Sequence, residues 1–169
     1  VIYEFVIDKT ERPNKCSILP LDGRADFRLT RVVANEALPA FSGDCLLHPD
    51  GVPFDRMTEE ARRAVKTLSF IDCNWLRLPG LVTRIAKPLP TLVAIPPGFV
   101  TAYPRRNKQN LDPEAGLATI EAVFIAAAYC GVWDETLLAK FHWAKEFLAA
   151  NAERLAPLRK HAAVIPSRA

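Results

Sequence analysis

The sequence predicts an α/β protein, and three stretches carry that prediction. Residues 58–66 read as a helix: Thr58 can cap it, Glu59 and Glu60 sit at its positive end, and Lys66 lies in its last turn. The helix leads directly into residues 68–71, a run of strand formers that stops at Asp72. A second apolar run, 91–95, ends in Pro96-Pro97-Gly98, and a third begins at Leu117 and continues as a long alanine-rich helix. Strand, helix, strand is the alternation of an α/β unit. Buried strands that end in polar loops beside a helix start are where open α/β sheets place ligands, so the site is expected at these strand ends.

At 169 residues the chain is long enough to bury a core as one domain with a small N-terminal part. Half of its residues are hydrophobic and 24% are charged, the balance of a soluble globular protein. No apolar run approaches the roughly 20 residues of a membrane-spanning helix. The opening Val-Ile-Tyr-Glu-Phe-Val has no basic start or cleavage pattern, so no signal peptide is expected, and the missing initiator Met is consistent with removal of a longer N-terminus. Cys16, Cys45, Cys73 and Cys130 form no paired ligand motif and are expected to be buried free thiols in a reducing, cytoplasmic setting. His48, His142 and His161 lack metal-ligand spacing, so no metal site is expected. No glycine-rich phosphate cradle occurs, which argues against an NTPase. The net charge of +3 is too small to establish nucleic-acid binding, which must be argued from local clusters.

Taken in order, residues 1–7 alternate as a strand, and 8–20 read as a polar loop. Residues 28–34 are a candidate second strand. Residues 45–47 are a third, closed by the turn residues His48-Pro49-Asp50-Gly51. Residues 76–90, with Pro79, Pro88 and Pro90, read as a connector carrying Arg77, Arg84 and Lys87. Residues 96–115 are irregular and hold the densest basic patch, Tyr103, Arg105, Arg106 and Lys108. Loops this long inside a compact domain are usually functional or mobile. Cys130-Gly131 stops the alanine-rich helix. Asp134 then caps a last long helix whose stripe runs Leu137, Phe141, Ala144, Leu148, Ala152 and Leu155, and Pro157 ends it before a solvated tail containing Arg159, Lys160, His161 and Arg168.

Six segments in order resemble one family. Asp72-Cys73-Asn74-Trp75 resembles the Asp-Cys-Ser-Trp motif of the ribosomal-RNA aminocarboxypropyltransferases. The segment from Leu89 to Ala94 is similar to that family's Leu-Pro-x-Leu-Val-Ala, and the segment from Leu117 to Ala122 to its Leu-Ser-x-x-Glu-Ala helix start. Lys15-Cys16-Ser17, the turn from Leu47 to Gly51, and the stretch from Leu138 to Trp143 with Phe147 and Leu148 complete the likeness, which covers residues 8–155. The resemblance implies a SPOUT-like fold: a small N-terminal α/β part over 1–66, a trefoil-knotted, S-adenosylmethionine-binding part over 67–156, and a tail over 157–169. It implies transfer of the 3-amino-3-carboxypropyl group to a modified uridine or pseudouridine of small-subunit ribosomal RNA, by a monomer acting on that RNA or on a pre-ribosomal particle. The chain departs from the family at Pro96-Pro97-Gly98, where an Asn-Pro-Val-Asn-Tyr-Gly type loop is usual, in a longer basic loop before Leu117, and at Ala118, where a capping Ser is usual. Thr119 is the nearest substitute for that cap.

The candidate residues each carry two readings. Trp75 is core filling by default, but just past a strand end and beside an acid it offers an aromatic face to a sulfonium. Asp72 either pairs with Arg77 as a structural ion pair or, buried at a strand end, takes a proton. Ser17 is an ordinary hydroxyl that only the resemblance raises, as a partner for the amino acid end of the donor. Leu47, in a segment that resembles the family's, is a candidate contact for S-adenosylmethionine. Leu92, Val93, Ile95 and Leu117 read as core whose backbone groups also read an adenine edge. Thr119 reads as a cap before a ligand contact, and Glu121 as a partner for loop amides. Arg105, Arg106 and Lys108 with Tyr103 mix cations and an aromatic as single-stranded RNA sites do, the alternative being a solvated loop. Arg84 and Lys87 are candidate phosphate contacts.

Three other functions stay open at this point. The related Asp-Thr-Trp domain family makes the same transfer to transfer-RNA uridine. A knotted methyltransferase would keep the cofactor and change the group moved. An RNA-binding assembly factor would keep the basic loop and lose turnover.

Overall fold

The computed structural model describes residues 1–11, 16–32, 36–104 and 116–165. In chain order the strands are β1 (Ile2–Ile7), β2 (Phe27–Arg31), β3 (Cys45–Pro53), β4 (Thr67–Asp72), β5 (Thr91–Ala94), β6 (Val132–Trp133) and β7 (Ala163–Val164). The helices are α1 (Glu59–Ala64), α2 (Leu78–Arg84), α3 (Thr119–Tyr129), α4 (Ala144–Ala150) and α5 (Ala152–His161). The fold is α/β, as the sequence predicts. The chain divides into two compact units, Val1–Val52 with Val65–Ala94 and Pro53–Ala64 with Ile95–Ala169.

The first unit is built on a five-stranded sheet in the order β2-β1-β4-β3-β5. β1 runs parallel to both β2 and β4, and β3 runs parallel to β4. Parallel strands are covered on both faces and read as near-continuous apolar runs, which is the pattern of Phe5, Val6 and Ile7. Phe5 lies opposite Phe70 in the register and stacks on it at 5.2 Å, with Phe27 4.9 Å away. Val6, on the other face, packs with Val32, Leu38, Phe41, Leu46, Leu81 and Ile85. Each such side chain contributes about 1.5–3 kcal/mol when removed from water.

In the second unit α3 is buried on every side from Ile120 to Ala128, and its run of alanines lets neighbours approach closely. Phe124 meets Trp133 edge-on at 4.9 Å and Phe147 at 6.1 Å. β6 and β7 pair in parallel. Gly131, at φ 83°, supplies the left-handed residue that ends α3, as Cys130-Gly131 predicts.

Several elements differ from the sequence reading. α1 is shorter than 58–66: Thr58 Oγ1 does accept from the amide of Ala61 (3.1 Å), but the amides of Lys66 and Thr67 both go to Asp44 Oδ2, so Lys66 leads into β4 instead of closing the helix. The second strand ends at Arg31. β3 does not stop at residue 47 but runs through His48-Pro49-Asp50-Gly51 to Pro53. Gly51 is there for close approach and not for a turn, since a side chain would put its first carbon 2.4–2.6 Å from the backbone of Val93. The stretch 76–90 is no connector: a 3-10 turn over Trp75–Arg77 runs into α2, where Pro79 sits in the first turn and loses no helical hydrogen bond. Asp134 caps only a 3-10 turn, Glu135–Leu138, because the last helix is broken twice, before α4 and again at Asn151. Asn151 leaves the helical conformation (φ −112°, ψ 12°) and spends its amide on Val100 and Phe147. Pro157 lies inside α5 on an exposed face, so Arg159, Lys160 and His161 are helical and not tail. Arg168 lies outside the described residues.

Candidate active site at the strand ends of the first unit

The strand order puts a crevice at one place. The chain leaving β1 passes to β2 on one side, and the chain leaving β4 passes to β5 on the other, although β1 and β4 are neighbours. Connections that diverge from adjacent parallel strands open a crevice at their carboxyl ends, the position where open α/β sheets bind ligands. Ile7 pairs with Asp72 here, and the amide of Asp8 donates to the Asp72 carbonyl at 2.9 Å.

Two aspartates therefore emerge side by side, and their surroundings differ. Asp8, 1% exposed, accepts from Thr10 Oγ1 (2.7 Å) and from Arg77 Nη2 (3.1 Å), and Arg77 Nε completes the ion pair. Burial alone would raise the Asp8 carboxyl, but the hydrogen bonds from Thr10 and Arg77, with the guanidinium charge, outweigh it and hold the group below its ordinary 3.8. Asp72, 6% exposed, accepts from Cys16 Sγ at 2.9 Å. The amides of Ile18 and Leu19 point at the same sulfur, 3.4 Å away. Burial and then the Asp72 carboxylate push the Cys16 thiol up to about 12. Burial and the nearby carboxylates, Asp72 first, do the same to Cys73. A thiol pushed up in this way is held protonated at neutral pH, and Cys16 donates to Asp72.

Trp75 is carried by the 3-10 turn just past Asp72. Asn74 Oδ1 accepts from the Leu76 amide at 2.9 Å and starts that turn, and Arg77 at its end is tied to Asp8. The indole is half-buried. An open groove of about 250 Å³ runs beside Leu76, Arg77, Gly80, Leu81 and Arg84. The unit thus brings Cys16 to Asp72, with Ser17 next to Cys16 and Trp75 three residues after Asp72 in the chain.

The other candidates of this unit lie on other elements. Leu47, half-buried, lies on β3, and Leu92 and Val93 lie on β5, Val93 being fully buried. The Arg84 guanidinium donates to the carbonyl of Glu36 through Nε (3.0 Å) and Nη2 (2.6 Å), a structural tie between α2 and the preceding loop. Lys87 is exposed and precedes a cis proline, Pro88. Lys15, Arg105, Arg106 and Lys108 lie outside the described residues.

The remaining candidates belong to the second unit. Ile95, half-buried, follows β5. Glu121, fully buried, accepts from Thr101 Oγ1 (2.6 Å) and from the amides of Ala102 (2.8 Å) and Ala118 (2.7 Å), as its reading as a partner for loop amides predicts. Thr119 is not the cap. It is the first residue of α3, Ala118 stands at the cap position, and the cap that Ala118 cannot supply is replaced from within the helix by Glu121. Leu117 precedes Ala118 and is half-buried. Tyr103 meets Trp143 edge-on at 5.1 Å.

Sequence reasoning missed Asp8 and Thr10, and it weighed Arg77 only as a partner for Asp72, whereas the guanidinium pairs with Asp8. The signal was present: β1 ends in Phe5-Val6-Ile7-Asp8 as β4 ends in Ser69-Phe70-Ile71-Asp72, an apolar strand stopped by Ile-Asp in each case. Which acid took the arginine was decided by pairing between strands that lie some sixty residues apart, information that no local window holds.

No family model matches the chain, and no curated protein matches it. A solved structure does: the SAM-dependent rRNA:acp-transferase Tsr3 from Vulcanisaeta distributa, with a TM-score of 0.64, 20% sequence identity, and coverage of 96% of this chain and 85% of that one. At that identity the likeness is one of fold.

Proposed function

We propose that this protein transfers the 3-amino-3-carboxypropyl group of S-adenosylmethionine to a uridine or pseudouridine of small-subunit ribosomal RNA. The observation that carries the reading is the end of β4, where the buried Asp72 carboxylate with its Cys16 donor is followed directly by the 3-10 turn that carries the half-buried Trp75. The fold shared with an rRNA:acp-transferase across nearly the whole chain supports it. The reading takes with it the SPOUT-like trefoil knot for residues 67–156 and a monomeric enzyme.

The residues fit a sulfonium donor. A carboxylate and an aromatic face make an electron-rich lining suited to a cation. When bound, S-adenosylmethionine supplies an activated carbon next to a positive sulfur. Trp75 would flank that positive region, and Ser17 would hold the amino acid end. Asp72 would take the proton leaving the base nitrogen, with Cys16 fixing the plane of its carboxylate. Alignment of the nucleophile within about 3–3.5 Å of the reacting carbon, and not a stronger nucleophile, selects this group over the methyl. On the RNA side the reading draws on Lys87 and Tyr103, and on Arg105, Arg106 and Lys108.

The test is product identity. Small-subunit RNA from cells lacking this protein is incubated with S-adenosylmethionine and the full chain, digested to nucleosides and weighed. A uridine-derived nucleoside heavier by one aminocarboxypropyl group is expected. A methyl increment would replace the reaction, modification of transfer RNA alone would replace the substrate, and RNA binding without any adduct would leave an assembly factor.

A further inference from the structure

The second unit presents a surface group that the transfer chemistry leaves unused. Trp143, half-buried, is met edge-on by three rings: Tyr103 at 5.1 Å, His142 at 5.1 Å and Phe141 at 5.7 Å. Phe141 is buried and anchors the group, whereas His142 is exposed and Tyr103 half-exposed. Lys140 and Lys145 bracket the cluster in sequence, both are exposed, and among the described residues neither makes an ion pair. Edge-to-face packing fixes the rings against one another. The backbone fixes them further. The amide of Ala144 donates to Phe141 O (3.2 Å), that of Phe147 to Trp143 O (2.9 Å), and that of Tyr103 to Thr101 Oγ1 (3.1 Å), whose hydroxyl is itself held by Glu121.

We propose that the Tyr103–His142–Trp143 cluster, flanked by Lys140 and Lys145, is a stacking platform for unpaired bases of the RNA substrate. The proposal rests on the RNA reading above and extends it to residues outside the basic loop. His142 is exposed, Tyr103 and Trp143 are half-exposed, and a lysine stands on either side of the His142-Trp143 pair in sequence. That combination suits single-stranded RNA in particular: bases splayed from a loop stack on aromatic rings, and ammonium groups take the phosphates on either side. Protein interfaces also use Tyr, Trp and Phe but deplete lysine, so the flanking Lys140 and Lys145 favour the RNA.

The experiment uses the full chain and a single-stranded oligouridylate containing 5-iodouracil, which crosslinks to aromatic side chains on irradiation. Trypsin cleaves after Lys140 and Lys145 and isolates Phe141 to Lys145 as one peptide. Crosslinked nucleotide on that peptide is expected. His142→Ala, at an exposed position, should weaken oligonucleotide binding about tenfold, and Lys140→Ala with Lys145→Ala should lower its salt dependence. S-adenosylmethionine affinity should be unchanged in both variants, which also verifies that they fold. Crosslinks found neither on that peptide nor on the one carrying Tyr103, or unchanged RNA affinity in both variants, would overturn the platform. Its failure is separable from that of the proposed reaction: adduct formation without a crosslink here rejects only the platform, and a crosslink here without adduct formation rejects only the transfer.

Discussion

Asp8 and Asp72 close neighbouring parallel strands after the same Ile-Asp step, and their surroundings differ. Asp8 faces a guanidinium and a hydroxyl that neutralise and hold it, while Asp72 faces the thiol of Cys16. A buried carboxylate bound to a full cation is committed to structure, because losing either partner strands a charge. Glu121 in the second unit stands with Asp8: three neutral donors hold it, and its work is to shape the start of α3. Burial of an acid is therefore no sign of a catalytic role by itself.

The largest expected effect separates the two aspartates by rate. Asp72→Asn should lower the transfer rate about 10²–10⁴-fold while leaving S-adenosylmethionine affinity within a few-fold, as calorimetry and single-turnover kinetics would read. Equal losses in both would assign Asp72 to donor binding. Arg77→Met should act on stability instead. It leaves Asp8 buried without its cation and should cost about 2–4 kcal/mol in urea denaturation, the half-exposed arginine placing the value below that of a fully buried pair.

The pH dependence of that second effect has a definite sign. Because Asp8 is held below its ordinary value, its stabilising contribution is complete above the unfolded carboxylate range and is lost as pH falls through the lowered value. The stability gap between the wild type and Asp8→Asn should thus be constant near neutrality and close only in strong acid. A gap that instead widened on acidification would contradict the ion pair.

Cys16 offers a finer comparison. Cys16→Ala removes the donor to Asp72 and should cost about 1 kcal/mol, with Cys16→Ser recovering much of the transfer rate that Cys16→Ala loses. The smallest effect is one of reactivity: since Cys16 and Cys73 are both pushed up to about 12, thiol reagents near neutral pH should modify neither at an appreciable rate in the folded chain. Rapid labelling of Cys16, followed by mass spectrometry of the peptide, would show a thiolate where the account places a thiol.

The sequence made some of this legible and hid the rest for identifiable reasons. The β4 strand and its stop at Asp72 were visible because propensity and polarity change at one residue. The helix α3 was visible through its alanines and its Gly131 stop. What local reading got wrong turned on tertiary partners. Pro79 looked like a breaker and is the start of α2, because a first-turn proline sacrifices nothing. His48-Pro49-Asp50-Gly51 looked like a turn and is strand, because Gly51 lets β3 and β5 meet. Asn151 broke a stripe that looked continuous from Leu137 to Leu155, because its side chain bonds to the distant Val100. At the site, Asp72 and Trp75 were readable from one short motif, whereas the Asp8–Arg77 pair needed the sheet register.

The most direct measurement follows carboxyl-labelled and, separately, methyl-labelled S-adenosylmethionine into unmodified small-subunit RNA. Wild type, Asp8→Asn and Asp72→Asn are compared well below the melting temperature of the least stable of them. The account predicts carboxyl label in RNA with wild type and with Asp8→Asn, little or none with Asp72→Asn, and no methyl label with any. Methyl label with the wild type would contradict the reaction, and undiminished carboxyl transfer by Asp72→Asn would contradict the division of labour between the two aspartates.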